Sequence, residues 1–199
     1  MIGGINESGS SLYYFKTLDP HDFSMVVGGD LGVNPATKKM NEVGLKNLNP
    51  DLIMMGGDIS YDNNFPECYR ATDTILRQVP HNVRNSHDNR TRLIPMIKAA
   101  GNHDFGVNSG GDVDIKTNKH EPLFKHYYPQ NTHYDSIPKV DNRMSYTYHV
   151  FGNTTLIVSI DSGYDTSLIM EQKIWLESVL SQYVNLTKIV MYHEPIYPG

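Results

Sequence analysis

Short apolar runs set between polar, glycine-containing stretches make up most of the chain, and their lengths predict strands more often than helices. Phe23 to Gly28, Asp51 to Met55, Leu93 to Ala100, Thr154 to Ile160 and Lys188 to Tyr192 are each of strand length. Pro95 demotes the third of these toward an edge or a bulge, because proline has no N–H to give to a ladder. Ser145 to Phe151 alternates aromatic and polar residues, and Gly152-Asn153 turns it back onto Thr154 to Ile160, which predicts a hairpin. Two segments carry helical spacing. Pro35 to Leu48 opens with a proline suited to a first helical turn, and Leu168, Ile169, Ile174, Trp175, Val179 and Leu180 mark an amphipathic helix over Ser167 to Tyr183. Helix-like sequence also runs from Cys68 to Gln78. Residues 81–92 and 106–119 have no apolar period and read as loops, the second of them substrate-facing. Ser11 to Lys16 reads as a strand too isolated to fold alone, and looks like the end of something that precedes it.

The order strand, helix, strand over residues 23 to 55 is a βαβ unit, which favours a parallel sheet and places the chain in the α/β class with helices on the sheet faces. In such sheets the loops at the carboxyl ends of the strands converge on one crevice, so residues distant in sequence meet there. Four polar clusters occupy that position: Gly29-Asp30-Leu31-Gly32, Gly57-Asp58-Ile59-Ser60-Tyr61, Gly101-Asn102-His103-Asp104 and Val190-Met191-Tyr192-His193. Taken singly, Asp30 and Asp58 are ordinary turn residues, Tyr61 a half-buried aromatic and His193 a hydrogen-bonded polar side chain. Taken in order, all at strand ends, they supply carboxylate, amide, phenol and imidazole donors without a thiolate, a set suited to metals bound by oxygen and nitrogen. The other histidines, at positions 21, 81, 87, 120, 126, 133 and 149, read as solvated or hydrogen-bonded side chains.

Composition narrows the partners. The chain has 199 residues, 39% of them hydrophobic, enough to bury one sizeable core. With 17 basic against 22 acidic residues, a formal net charge of -5 and no basic run, it lacks the electrostatic footprint of a nucleic-acid binder. No stretch approaches the roughly 20 apolar residues that span a bilayer. The single cysteine, Cys68, excludes a disulfide framework and a Cys-rich zinc site within this sequence.

The four clusters resemble the motifs of purple acid phosphatases, within the calcineurin-like metallophosphoesterase superfamily. Most relatives in that superfamily have Asp-x-His at the first motif and no tyrosine in the second; purple acid phosphatases have Asp-x-Gly and Gly-Asp-x-x-Tyr, as at Asp30 to Gly32 and Gly57 to Tyr61 here. Asn64 to Arg70, Ile160-Asp161-Ser162, Trp175-Leu176-Glu177 and Tyr192 to Pro198 are similar to stretches of the larger members. The resemblance implies a sheet sandwich with helices on its faces over residues 18–199, preceded over residues 1–17 by the tail of a β-sandwich, fibronectin-like domain. It implies that Asp30 and Tyr61 ligate an Fe(III), that Asp58 bridges two ions, and that Asn102 and His193 ligate a divalent ion, Zn, Mn or Fe. His103 would then protonate the leaving alkoxide or hold the phosphate, with Asp104 supporting these groups. The implied reaction is hydrolysis of small phosphomonoesters by a hydroxide held between the ions, best at acidic pH. The oligomeric state stays open.

The family's Gly-His-x-His motif, which gives each metal one more histidine, is missing from this sequence. That predicts a chain that binds metal weakly and turns over slowly or not at all, as a fragment of a longer phosphatase. It also keeps two alternatives open, a non-catalytic remnant and a phosphodiesterase or nuclease of the same superfamily. Sequons at Asn6, Asn89, Asn153 and Asn185 and the habits of the family point to a secreted, vacuolar or lysosomal glycoprotein.

Overall fold

A computed structural model describes residues 13–65, 68–78, 83–84, 91–107, 123–128, 130, 143–165 and 169–195. Its central unit is a parallel sheet in the order β2 (Met25–Gly28), β3 (Leu52–Gly56), β6 (Met96–Ala99). A second sheet is formed by the predicted hairpin, β7 (Thr147–Phe151) and β8 (Thr155–Ser159), with β9 (Thr187–Met191) parallel to β8. Alternation along the strands builds the layers. Leu52, Met54, Ile97 and Ala99 on the first sheet meet Ile157 and Met191 on the second, with Phe23 stacked on Phe151 at 5.5 Å between ring centroids. Ile53 and Met55 point the other way, into a core shared with Leu45, Ile75, Phe105 and Phe124. Leu156 and Val158 pack outward against Val179 and Trp175. The result is helices, sheet, sheet, helix, the sandwich with helices on its faces that the family resemblance implied.

The helices form where the sequence supplies their ends. In α1 (Pro35–Leu48) the Asn34 side chain accepts the Thr37 N–H at 2.9 Å, Pro35 fills the first turn, and Asn49 stops the helix with a left-handed φ of 45°. α2 (Tyr69–Gln78) sets Thr72 and Ile75 inward, and α4 (Ile169–Gln182) buries Val179 and lays Trp175 against Tyr146 at 4.6 Å. A short helix, α3 (Leu123–Tyr127), which no sequence period foretold, brings Phe124 to the core.

Two expectations need correcting. The third strand starts at Met96 and not Leu93, because Pro95 cannot donate; its carbonyl nonetheless accepts the Ile53 N–H at 3.0 Å, and β6 lies at the sheet edge as proline demands. Within the polar stretch 81–92, β4 (Val83–Arg84) pairs antiparallel with β5 (Thr91–Arg92), which pairs parallel with β1 (Tyr13–Tyr14). No apolar pattern marks these two-residue strands, since what anchors them is polar: the buried Arg92 guanidinium donates to Asn49 Oδ1 at 2.8 Å and to the Pro50 carbonyl. Of the 106–119 loop only Gly106 and Val107 are described, and the sequons at Asn6 and Asn89 also lie outside the described residues, whereas Asn153 and Asn185 are exposed.

Asp51 ties the N-terminal segment to this frame. Its carboxylate accepts Lys16 Nζ at 2.5 Å and both the N–H and the hydroxyl of Ser24 at 3.0 Å, so the lysine hydrogen bond first and the Ser24 amide second pull its pKa down to about 2. A carboxyl whose folded pKa lies below its unfolded value stabilises the fold above the unfolded pKa and loses that contribution as the pH falls through the folded one. Because Lys16 is largely open to water, the screened contribution is about 1–2 kcal/mol. Urea unfolding of Asp51→Asn should therefore show that deficit at pH 7, with the gap to the parent protein closing between about pH 4 and pH 2.

Candidate metal centre

The parallel registers set the strand ends level: Gly28 lies beside Met55, and Gly56 beside Ala99. From there the ladder continues into the loops, with the Asp30 N–H donating to the Gly57 carbonyl and Leu31 N–H to the Asp58 carbonyl, both at 3.1 Å. The loop after β6 is locked onto the loop after β3 by Asp104, which is buried and whose carboxylate accepts the N–H groups of Ile59 at 3.1 Å and Gly101 at 2.9 Å. Burial pushes the Asp104 carboxyl up to about 7, against the pull of those two amides. Two glycines make the approach possible. A Cβ on Gly57 would come within 2.6 Å of His193 Nδ1 and 2.8 Å of the Gly101 backbone, and one on Gly101 would overlap Asp58.

All the sequence-predicted residues arrive at this crevice. Asp30, Asp58 and His193 each place one ligand-type atom within 4.8 Å of the others. Tyr61 Oη donates to Asp30 Oδ1 at 2.9 Å, and its ring lies 4.5 Å from the His103 ring. Asn102 Oδ1 is 3.2 Å from His193 Nε2, which in turn is 3.5 Å from Asp58 Oδ1. His103 donates its backbone N–H to Asp58 Oδ1 at 2.9 Å, while its Nε2 sits 3.8 Å from Asp58 Oδ2.

The proton inventory of this cluster is short. His193 Nδ1 is 2.8 Å from the Gly56 carbonyl, which can only accept, so Nδ1 carries a proton, and in the neutral ring the lone pair then sits at Nε2. Asn102 spends its Nδ2 donor on the Val107 carbonyl at 2.8 Å, which leaves Oδ1 facing that same lone pair. With the ring neutral, Nε2, Asn102 Oδ1 and Asp58 Oδ1 confront one another as three acceptors. A cation satisfies all three, and the mixture of oxygens with one imidazole suits a hard or borderline ion. Burial, then the hydrogen bond and charge of Asp30, then the charge of Asp58, push the Tyr61 phenol well above its ordinary pKa, the direction that a bound cation would reverse.

Backbone strain marks the same loops. Asp30, Asp58, Tyr61, Asn63 and Asn64 all have left-handed φ values between 49° and 59° without being glycine. For aspartate and asparagine this conformation is tolerable, but for tyrosine it is costly, and such outliers gather where a site overrides local preference. Asn63 is the residue that sequence reasoning missed. Its Oδ1 accepts from His103 Nδ1 at 2.5 Å, which fixes the ring so that Nε2 faces the cluster. The only signal for it was its place two residues after Tyr61. Ser162, in the Ile160-Asp161-Ser162 stretch, also proves relevant, as its hydroxyl accepts the His193 N–H at 3.3 Å.

Residues 19–199 match the sequence model of the calcineurin-like phosphoesterases, and the chain belongs to that family of metallophosphoesterase hydrolases. It is also similar to a protein of Moraxella catarrhalis (strain BBH18) named as a probable cyclic nucleotide phosphodiesterase, at 25% identity over 187 residues that cover 88% of this chain and 58% of the relative. The chain therefore spans less than two thirds of the length of that relative.

The glycine contacts give a direct test of the assembly. Gly101→Ala should cost about 1–3 kcal/mol of stability through overpacking and displace Asp58. Calorimetric titration with Zn(II) or Mn(II) should show weaker binding by the variant, while Gly44→Ala, where a Cβ meets nothing within 4 Å, leaves the affinity unchanged.

Proposed function

We propose that the protein is a binuclear phosphoester hydrolase of the purple acid phosphatase type, acting on phosphomonoesters. The observation that carries this reading is the phenol of Tyr61 hydrogen-bonded to Asp30 at the metal cluster, because it adds an anionic oxygen donor to one side of the site. In this reading Asp30 and Tyr61 would hold an Fe(III), Asn102 and His193 would hold a divalent Zn, Mn or Fe ion, and Asp58 would be shared between them. A hard trivalent ion prefers carboxylate and phenolate, and a borderline divalent one accepts amide and imidazole. When bound, such a pair supplies Lewis-acid charge that neutralises the phosphoryl oxygens and lowers the pKa of water.

The chain's own residues do the rest. Hydrolysis adds water across the P–O bond, and the departing alkoxide needs a proton. His103 is placed to deliver it from Nε2, since Asn63 already engages Nδ1. Asp104 keeps the two loops in register, and the Gly56 carbonyl holds His193 in the tautomer that leaves Nε2 as donor atom. The name of the Moraxella relative favours a second reading, hydrolysis of a cyclic nucleotide diester by the same residues.

Metal content, visible spectrum and substrate preference separate the two. The first reading expects iron, a visible phenolate-to-iron band that Tyr61→Phe abolishes, and turnover of p-nitrophenyl phosphate exceeding that of its bis-ester and of a 3′,5′-cyclic nucleotide by at least about tenfold. Faster turnover of the cyclic nucleotide, with no band, would establish the second. Under either, His103→Ala should lower kcat by about 10²- to 10⁴-fold, Asn63→Ala by less, and removal of metal with a chelator should abolish turnover.

A further inference from the structure

Along β6, at the edge of its sheet, lies a cavity of about 240 Å³, whose described lining includes Met96, Ile97, Lys98, Tyr128, Gln130 and His149 and no carboxylate. Two of these groups lack a polar partner among the described residues, the amine of the part-exposed Lys98 and the hydroxyl of the buried Tyr128. The Lys98 amine sits 3.6 Å above the centre of the Tyr128 ring and has no ion pair or hydrogen bond among the described residues. Asp104 acts on it electrostatically from beyond ion-pair distance, with its own oxygens committed to Ile59 and Gly101. The Tyr128 hydroxyl is buried with no hydrogen-bond partner among the described residues, in a residue only 7% exposed. Buried polar groups in native proteins are almost always paired, so an orphaned hydroxyl and an uncompensated amine on one cavity mark a place where a partner belongs.

We infer that this cavity is a second ligand site, taking a small aromatic carboxylate. A carboxylate would accept from both Lys98 Nζ and Tyr128 Oη, neither of which has an acceptor among the described residues. The apolar remainder of the ligand meets Met96, Ile97 and the tyrosine rings, and the space is ample, since a cavity of about 150 Å³ already admits benzene. Lack of a counter-ion has a second consequence: burial pulls the Lys98 amine down to about 7 despite the opposing pull of Asp104, and a bound carboxylate would restore its charge. The mechanism proposed for the metal face uses neither residue, so this site stands or falls apart from it.

Benzoate is the probe. Calorimetric titration of benzoate into the full chain near pH 6.5 should give saturable binding that is unchanged by a metal chelator. Lys98→Met, which keeps the length of the side chain and removes its charge, should weaken binding by at least about tenfold. Tyr128→Phe should weaken it several-fold; because this change removes only an unpartnered oxygen and keeps the ring beneath Lys98, the variant folds and the comparison holds even if Lys98→Met does not. Absence of saturable binding at millimolar benzoate, equal affinity in Tyr128→Phe, or loss of binding on chelation, which would place benzoate at the metal face, overturns the inference.

Discussion

Three strand-end loops are forced closer together than side chains normally permit, and the architecture of the molecule follows from that approach. At Gly57 and Gly101 the backbones meet with no room for a Cβ, so Asp58 and His193 face each other across a gap of a few ångströms. Asp104 holds the gap from behind: it accepts the Gly101 N–H within its own loop and the Ile59 N–H from the loop after β3. Crowding several carboxylates at one place is unfavourable by itself, and low local dielectric makes it more so. The packed layers below oppose it. Ile53 and Met55 on one face of β3 and Leu52 and Met54 on the other are essentially fully buried, which fixes the strand that carries Asp58. Each such side chain contributes roughly 1.5–3 kcal/mol.

The same geometry explains why the cluster reads as a metal centre and not as an ion-pair network. In an ion-pair network, each acceptor would meet a donor. Here the donors are directed elsewhere: His193 Nδ1–H to Gly56, Asn102 Nδ2 to Val107 and His103 Nδ1–H to Asn63. What faces inward, with His193 neutral, is mainly lone pairs, together with the His103 backbone N–H on Asp58 and a phenol that donates to Asp30. The outer hydrogen bonds thus decide the chemistry of the inner atoms, which is the usual division of labour around a metal.

Tyr61 bears on the subclass. Its backbone occupies a left-handed conformation that a tyrosine rarely adopts, and the strain sets the phenol beside Asp30 and the ring against His103. The phosphomonoester reading proposed above rests on this one side chain, whose placement is costly. Costs of that kind are retained where they do something.

Apolar periodicity is local, so the sequence by itself determined the α/β class, the strands β2, β3, β8 and β9, the hairpin and the helices α1 and α4. The placement of Asp30, Asp58, Tyr61, Asn102, His103 and His193 at one crevice was legible too, because parallel strands share their carboxyl ends and each cluster follows a strand. What local pattern could not express was anything held by polar groups across long separations. The two-residue strands β4 and β5 depend on Arg92 reaching Asn49 and Pro50, and the orientation of His103 depends on Asn63, forty residues away. The division of the strands into two facing sheets, and the cavity at Lys98, were likewise decided only in three dimensions. Burial of side chains leaves a period in the sequence, whereas hydrogen bonds between distant residues leave none.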